Sequence, residues 1–137
     1  MYKKILVPMA LDHGLSRQTL EVAETLCIPA GEIVALHVYE MPQGSVSAYL
    51  DQDVVKAGFQ AAEHVLTEKL SGLPHVTPKI IKGHSARAII DFAAQNDVDC
   101  IVIGSHKPGL SDFFLGSTAS RVVRHASCAV HVQRSAA

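Results

Sequence analysis

The segment Cys100–Val132, CIVIGSHKPGLSDFFLGSTASRVVRHASCAVHV, constrains the fold more than any other part of the sequence. It opens with a continuous apolar run, Cys100–Ile103, which is typical of a strand covered on both faces and is followed by Gly104. After a loop, Gly116-Ser117-Thr118 precedes four apolar residues at core-facing helical spacing, namely Ala119, Val122, Val123 and Ala126. The segment then closes with a predicted strand at Ala129–Val132.

The start of this last helix has the chemistry of an anion site. A helix that begins at Gly116-Ser117-Thr118 presents backbone N–H groups at the positive end of its dipole. An anion is the natural partner of such a turn, and the two hydroxyl groups add further donors. The alternative is a helix cap that binds nothing, a role for which glycine and serine are also common.

Strands and helices alternate along the rest of the chain. The other predicted strands are Ile5–Val7, Glu32–Tyr39 and Val76–Ile81, and helices are predicted from about Ser16, from Asp53 to Leu70, and after the cap Gly83-His84-Ser85, with a loop at Met41–Gln52. This alternation predicts a three-layer α/β domain around a mainly parallel sheet. The first and fourth strands are the most apolar, which places them side by side at the centre. Pro78 and Lys79 place the third strand at an edge.

Each predicted helix carries an apolar stripe toward the sheet. The stripes are Leu20, Ala23, Leu26 and Cys27 in the first helix, Val55, Phe59, Ala62 and Leu66 in the second, and Ala86, Ile89, Ile90 and Ala93 in the third. Gly58 lies beside the second stripe and predicts close packing there. In doubly wound sheets ligands bind beyond the strand carboxyl ends, where the winding reverses. Pro8–Asp12 and Gly104–Gly109 are therefore expected to face each other.

Composition excludes several classes of protein. The chain has 137 residues, of which 48% are hydrophobic, so we expect one domain over residues 1–137 that needs no disulfide. A net charge of −1 argues against a nucleic-acid partner, and no segment is expected to span a membrane. Three dispersed cysteines indicate buried thiols in a reducing cytoplasm.

Motifs for metal binding and catalysis are not found in the sequence. The eight histidines include no i, i+4 pair and no cluster with cysteine, so no metal site is predicted. There is no Walker A sequence, G-x-S-x-G elbow or catalytic triad, and we predict no catalytic residue. The polar residues Arg121, Arg124 and His125 are interpreted as a solvated helix face.

The sequence resembles the universal stress protein family over essentially its whole length. The similarity lies in the ILVP opening at Ile5–Pro8, the LHV of the second strand, the Gly83–Ser85 turn and, above all, the run from Ile101 to Val132. The sequence GSHKP at residues 104–108 is similar to that of the short bacterial F/G-type members. The resemblance implies a Rossmann-like, doubly wound five-stranded sheet in the order 3-2-1-4-5 and a cytoplasmic homodimer formed through the Ala129–Val132 strand.

The resemblance also implies a nucleotide site. Many members bind ATP with a loop of glycine, two residues, glycine, nine residues, and glycine followed by serine or threonine. Gly104 matches the first glycine, Gly116 and Ser117 match the final pair, and Val38 matches the position whose backbone holds adenine. The implied ligand is ATP, or AMP or ADP, with Mg²⁺ as a possible companion. The remaining implied site residues are Pro8, Met9, Ala10, Asp12, Ser105, His106, Lys107, Gly109 and Thr118.

Two departures from the family pattern concern this site. Lys107 stands where the second glycine is expected, and the loop between Gly104 and Gly116 is one residue shorter than in the pattern. Lys107 would offer the phosphates a positive charge, or would be a solvated loop lysine, and the same alternatives hold for His106. Ala10 occupies a position where nucleotide-binding members carry an aspartate that contacts the base or a metal.

Three functional readings follow. The leading one is a stress-adaptation protein that binds an adenine nucleotide and has at most slow hydrolysis or self-phosphorylation, for which Ser117 and Thr118 are the nearest hydroxyls. The first alternative is a nucleotide-free dimeric interaction module, favoured by Ala10 and Lys107. The second alternative is a nucleotide hydrolase that uses Asp12 or Asp112 to hold a metal.

Overall fold

The protein forms one parallel sheet with helices on both faces. The computed structural model describes residues 1–11, 17–40, 52–105 and 115–134. Its strands are β1 (Tyr2–Pro8), β2 (Cys27–Glu40), β3 (Val76–Gly83), β4 (Cys100–Ser105) and β5 (Ala129–Arg134), and its helices are α1 (Arg17–Leu26), α2 (Gln52–Lys69), α3 (Ser85–Gln95) and α4 (Ser117–His125). The sheet order is β3-β2-β1-β4-β5 with parallel pairing throughout, which confirms the predicted topology.

Strand β1 explains how the core divides into two layers. Ile5 and Val7 pack in one cluster with α1 and α2, whereas Leu6 packs in the other with α3 and α4. All three side chains are at most 1% exposed. Because neighbouring strand residues point to opposite faces, a central strand covered on both sides must be apolar at every position. The continuous apolar runs Ile5–Val7 in β1 and Cys100–Ile103 in β4 follow from this geometry.

The two edge strands are β3 and β5. Pro78 and Lys79 are exposed on β3, which confirms the edge position predicted from them. Proline has no N–H to donate to the sheet, so within a strand it is found mainly on edge strands, at strand ends and at bulges. Val130 and Val132 on β5 are half-buried and pack against the cluster beneath α3 and α4.

The second strand begins earlier than predicted. Cys27 was expected at the end of the first helix, but it begins β2 and pairs with Tyr2, after which the register shifts before Lys4. A Cβ on Gly31 would lie only 2.8 Å from the carbonyl oxygen of Lys3. The close approach of two backbones at this irregularity therefore requires glycine, and it keeps the chain alongside β1 for longer than the apolar pattern indicated.

The predicted helix stripes are confirmed in part: in α2 Leu66 is buried, whereas Val55, Phe59 and Ala62 are only half-buried. Leu20, Ala23, Leu66, Ala86, Ile89 and Ala93 are buried in the core, as are Ala119 and Val122 of α4. Val123, however, is 45% exposed, and Ala126 lies just beyond the end of α4. This nine-residue helix packs on β4, β5 and α3 with a stripe narrower than the predicted one, so the side chain of Val123 faces outward.

Gly58 confirms the predicted close packing of α2. A Cβ at this position would collide with the hydroxyl oxygen of Tyr39 on β2. The Tyr39 ring meets Phe59 edge-on at a centroid distance of 5.9 Å, and the Lys82 ammonium lies 5.2 Å from the centroid of Phe59. The first half of α2 is therefore held to the β2–β3 edge through aromatic side chains.

Polar groups also tie the sheet together at its amino end. The Asp99 carboxylate accepts the backbone N–H groups of Lys3 and Lys4, each at 2.9 Å. All three cysteines are free thiols: Cys100 is buried, while Cys27 and Cys128 are only half-buried. Burial raises the pKa of the Cys100 thiol to about 11, so this group is protonated at neutral pH. No helix within the described residues is long and apolar enough to cross a membrane.

Candidate functional site

The carboxyl end of the sheet contains a notch above β1. Strand β1 ends at Pro8, which pairs with Leu36, but β2 continues beside β3 as far as Glu40. On the other side, β4 continues beside β5 as far as Ser105. At this end of the sheet, β1 therefore stops before both of its neighbours. We use the term notch for this gap, with Pro8, Met9 and Ala10 at its floor, Val38 on one side, and Gly104 and Ser105 on the other.

The floor of the notch is fastened to β2. The Met9 N–H donates to the Leu36 carbonyl at 2.8 Å, and His37 Nδ1 donates to the Met9 carbonyl at 2.9 Å. These two hydrogen bonds hold Met9, the residue after the end of β1, against strand β2. Sequence reasoning did not include His37, although its place near the carboxyl end of β2, where ligands gather in such sheets, was a signal for it.

At Val38 and Gly104 the two sides of the notch offer backbone rather than side-chain groups. Val38 is 8% exposed and its side chain packs into the cluster beneath α3 and α4. A Cβ on Gly104 would meet Thr19 Oγ1 at 3.8 Å, an ordinary contact distance, and Gly104 has no positive φ. Packing within the described residues therefore does not require a glycine here. Its small size favours the close approach of another group to the backbone.

Helix α4 begins where the Gly-Ser-Thr turn predicted it. Gly116 is the N-cap residue with φ −58° and ψ 155°, and its carbonyl accepts the Ser120 N–H at 2.9 Å. The N–H groups of Ser117, Thr118 and Ala119 come before this first intrahelical bond and have no helical partner. Gly116 has no side chain with which to cap them. The Ser117 side chain is exposed and Thr118 is half-buried.

Helix α3 begins nearby, but its first turn is occupied by a carboxylate of the same chain. Glu40 Oε1 accepts the Ser85 backbone N–H at 3.2 Å and the Ser85 hydroxyl at 2.5 Å. These two bonds from Ser85 lower the pKa of the Glu40 carboxyl, which is therefore ionised at neutral pH. Sequence reasoning identified the Ser85 turn as a cap, but it did not identify Glu40 as the partner.

The two helix starts share a cleft of about 440 Å³, a volume within the roughly 300–1,000 Å³ typical of small-molecule sites. Of the predicted site residues that the structure describes, Ser117 and Thr118 line this cleft. Arg121 is exposed, as expected of a solvated helix face, and it also lines this cleft. The described residues that line it are Glu40, His84, Ser85, Ala86, Arg87, Ser117, Thr118 and Arg121.

The structure thus brings the predicted residues into two groups at the same end of the sheet: the notch and the start of α4. The other predicted residues lie outside the described ones, namely Asp12, His106, Lys107, Gly109 and the suggested Mg²⁺ residue Asp112. Among the residues that are described, no group of three or more His, Cys, Asp or Glu side chains is arranged to hold a metal ion.

Both the sequence and the fold of this chain are similar to those of universal stress proteins. The sequence model of the Universal stress protein family matches residues 1–134. Universal stress protein G of Shigella flexneri is 36% identical, over 98% of this chain and 100% of its own length. A universal stress protein in complex with cAMP superimposes with a TM-score of 0.69 at 20% identity, covering 98% of this chain and 99% of the other. The universal stress protein from Archaeoglobus fulgidus in complex with dAMP has a TM-score of 0.53 at 20% identity, covering 96% and 97%.

Proposed function

This chain belongs to the universal stress protein family, and we propose that it binds an adenine nucleotide at the carboxyl end of its sheet. The observation that carries the proposal is the start of α4, where Gly116 leaves the N–H groups of the first turn without a side-chain cap. These N–H groups and the Ser117 and Thr118 hydroxyls suit phosphate oxygens. Two relatives of the same fold are complexes with the adenine nucleotides cAMP and dAMP.

The notch provides a place for the rest of the nucleotide. The backbone of Val38 is proposed to hold the adenine, as the family resemblance implies, with Pro8, Met9 and Ala10 beneath it. Gly104 and Ser105 would lie along the ribose and phosphates, together with Asp12, His106, Lys107 and Gly109. The ligand is proposed to be ATP, or ADP or AMP, with Mg²⁺ when the phosphate chain is long enough to bind it.

The first test is whether the purified protein carries a nucleotide. Freshly prepared protein is denatured and the released small molecules are identified by mass spectrometry, after which ATP is titrated calorimetrically into the emptied protein. We expect adenine nucleotide in the released fraction, or binding of added ATP. An empty protein that gives no heat with ATP would refute the proposal and support the nucleotide-free interaction module that Ala10 favours.

A single substitution then locates the site. Gly116→Val should reduce ATP affinity at least about tenfold, because a branched side chain at the N-cap obstructs the N–H groups. The backbone at Gly116, with φ −58° and ψ 155°, is open to any L residue, so the variant is expected to fold. Gly72→Val is the matched control because a Cβ at Gly72 meets nothing within 4 Å. Equal affinity in the two variants would place the nucleotide elsewhere.

We further propose a one-domain, cytoplasmic stress-adaptation protein that dimerises through Ala129–Val132. Strand β5 is an edge of the sheet, where unpaired backbone groups can pair with a second copy. Val130→Lys should give a monomeric mass by light scattering, whereas Thr77→Lys, an exposed site on the opposite edge strand β3, should leave the dimer intact. A dimer that persists in Val130→Lys would contradict the proposed interface.

Any chemistry on the nucleotide is proposed to be slow. Ser117 and Thr118 are the hydroxyl groups nearest the proposed phosphates, and they are the candidates for self-phosphorylation. Replacement of both by alanine should abolish incorporation of labelled phosphate from ATP. Full incorporation in that double variant would exclude these hydroxyls as acceptors.

A further inference from the structure

The cleft between α3 and α4 contains an arginine that the proposed phosphate turn does not by itself explain. Two of the charged residues in its lining have partners nearby: Glu40 accepts two hydrogen bonds from Ser85, and Arg87 Nε donates to Asp91 at 3.1 Å. Arg121, in contrast, makes no ion pair or hydrogen bond to any described residue. It is therefore the cation in the cleft whose charge the described protein leaves uncompensated.

Arg121 lies on the same side of α4 as the hydroxyl groups of the first turn. Ser117, Thr118 and Arg121 all line the cleft, and Ser117 and Arg121 are four residues apart. Side chains at this spacing lie one turn apart on the same helix face, roughly 5–6 Å from Cβ to Cβ. A phosphate chain that begins at the N–H groups of the first turn can therefore extend toward the Arg121 guanidinium.

The opposite wall of the cleft repels an anion. The Glu40 carboxylate is held at the start of α3 by its bonds to Ser85, and these bonds keep it ionised. Arg87 on the same wall is paired with Asp91, so a negatively charged ligand is disfavoured near Glu40 and favoured beside α4. The cleft is polarised in the direction that places phosphate oxygens near Arg121.

We propose that Arg121 binds the phosphate chain of the nucleotide held at the α4 turn, so that affinity increases with the number of phosphates. This inference rests on the proposed function of nucleotide binding. A guanidinium presents planar, paired donors that match phosphate oxygens, which gives arginine an advantage over lysine at such a position. Adenosine, which has no phosphate, gains nothing from Arg121.

The experiment compares Arg121→Gln with Arg124→Gln. Both side chains are exposed on α4, but Arg124 does not line the cleft. Calorimetric titrations with ATP, AMP and adenosine should show ATP affinity reduced about tenfold or more in Arg121→Gln, a smaller reduction for AMP, and adenosine affinity within about twofold of wild type. Arg124→Gln should match the wild type for all three ligands, and Arg121→Lys should lie between wild type and Arg121→Gln.

The possible results distinguish a failure of the Arg121 role from a failure of nucleotide binding. If the wild type binds no adenine compound, the proposed function fails and the role of Arg121 fails with it. If the wild type binds ATP and Arg121→Gln binds it within about twofold of the same affinity, only the role of Arg121 is overturned. Equal losses for ATP and adenosine would also overturn phosphate recognition, since they would indicate a general disturbance of the site. Circular dichroism of each variant verifies that α4 is formed.

Discussion

Helices α3 and α4 begin beside each other in one cleft, yet their first turns are completed in different ways. In α3 the chain's own carboxylate, Glu40, accepts the N–H and the hydroxyl of Ser85. In α4 the N-cap is Gly116, and no described side chain caps the turn. Both helices present the positive end of a dipole, so the difference lies in the residues around that end rather than in the helix itself.

The difference between the two helix starts determines which of them can bind an anionic ligand. The Glu40 carboxylate bound at the start of α3 offsets part of the positive charge at that end of the helix dipole, and it repels a second anion. On the α4 side of the cleft, the described lining residues offer hydroxyl groups and the Arg121 guanidinium. A helix start is therefore an anion site only where the protein does not supply the anion itself, and in this cleft that condition holds at α4.

The largest effect is expected when α4 is made to resemble α3. Ser117→Asp introduces a carboxylate into the first turn of α4, where it competes for the N–H groups and repels phosphate. We expect ATP affinity to fall about 100-fold, since like charges in contact cost several kcal/mol. The helix itself should become slightly more stable, by about 0.5 kcal/mol, through the interaction of the carboxylate with the dipole.

Ser127→Asp is the control for the added charge. Ser127 is exposed beyond the opposite end of α4, so the same net charge is introduced far from the first turn. Its ATP affinity should stay within about twofold of wild type, as measured by calorimetry under the same conditions. If Ser117→Asp also binds ATP like the wild type, the contrast between the two helix starts has no bearing on ligand binding.

A smaller effect is expected when the cap of α3 is removed. Glu40→Ala leaves the Ser85 N–H without its acceptor and should lower the free energy of unfolding by about 1 kcal/mol, as loss of a helix cap does. Urea denaturation at pH 7 measures the difference. Glu63→Ala, which removes an exposed carboxylate from α2, should change stability by less than about 0.5 kcal/mol. Equal stability of the two variants would show that Glu40 does not stabilise α3.

The smallest effect concerns pH. Hydrogen bonds from Ser85 lower the pKa of Glu40 below its ordinary value of 4.5, so in the folded protein the carboxylate stays ionised to lower pH than in the unfolded chain. Its stabilisation is complete above the unfolded pKa and is lost as pH falls through the folded pKa. The stability difference between wild type and Glu40→Ala should therefore shrink as pH falls below about 4.5 and should be constant above about pH 6.

Asp99 does not interfere with this measurement. The pKa of Asp99 is also lowered, because the backbone N–H groups of Lys3 and Lys4 outweigh the effect of desolvation, which raises it. It titrates in the same acidic range, but equally in both proteins, so its contribution cancels in the difference. A difference that is independent of pH down to about pH 3 would contradict the role assigned to the ionised Glu40.

Much of the fold was predictable because its determinants are local. The apolar run Ile5–Val7 predicted a strand covered on both faces, and Pro78 predicted an edge strand. The early start of β2 was not predictable, since it depends on the contact of Gly31 with the Lys3 carbonyl of another strand. The exposure of Val123 was missed for a similar reason: the periodicity identifies an apolar side of α4, but the neighbouring elements decide how wide a stripe they cover.

For the candidate site, the sequence by itself determined the local chemistry. A Gly-Ser-Thr turn before an apolar stripe starts a helix with open N–H groups whatever surrounds it, because φ, ψ and side-chain size are properties of those residues. Only the tertiary structure decided that Glu40 caps a serine 45 residues further along the chain, and that Arg121 lines the same cleft. The end of β2 and the first turns of α3 and α4 meet at this cleft only when the sheet and its helices have packed together. These segments are far apart in the sequence, so tertiary packing alone brings them into contact.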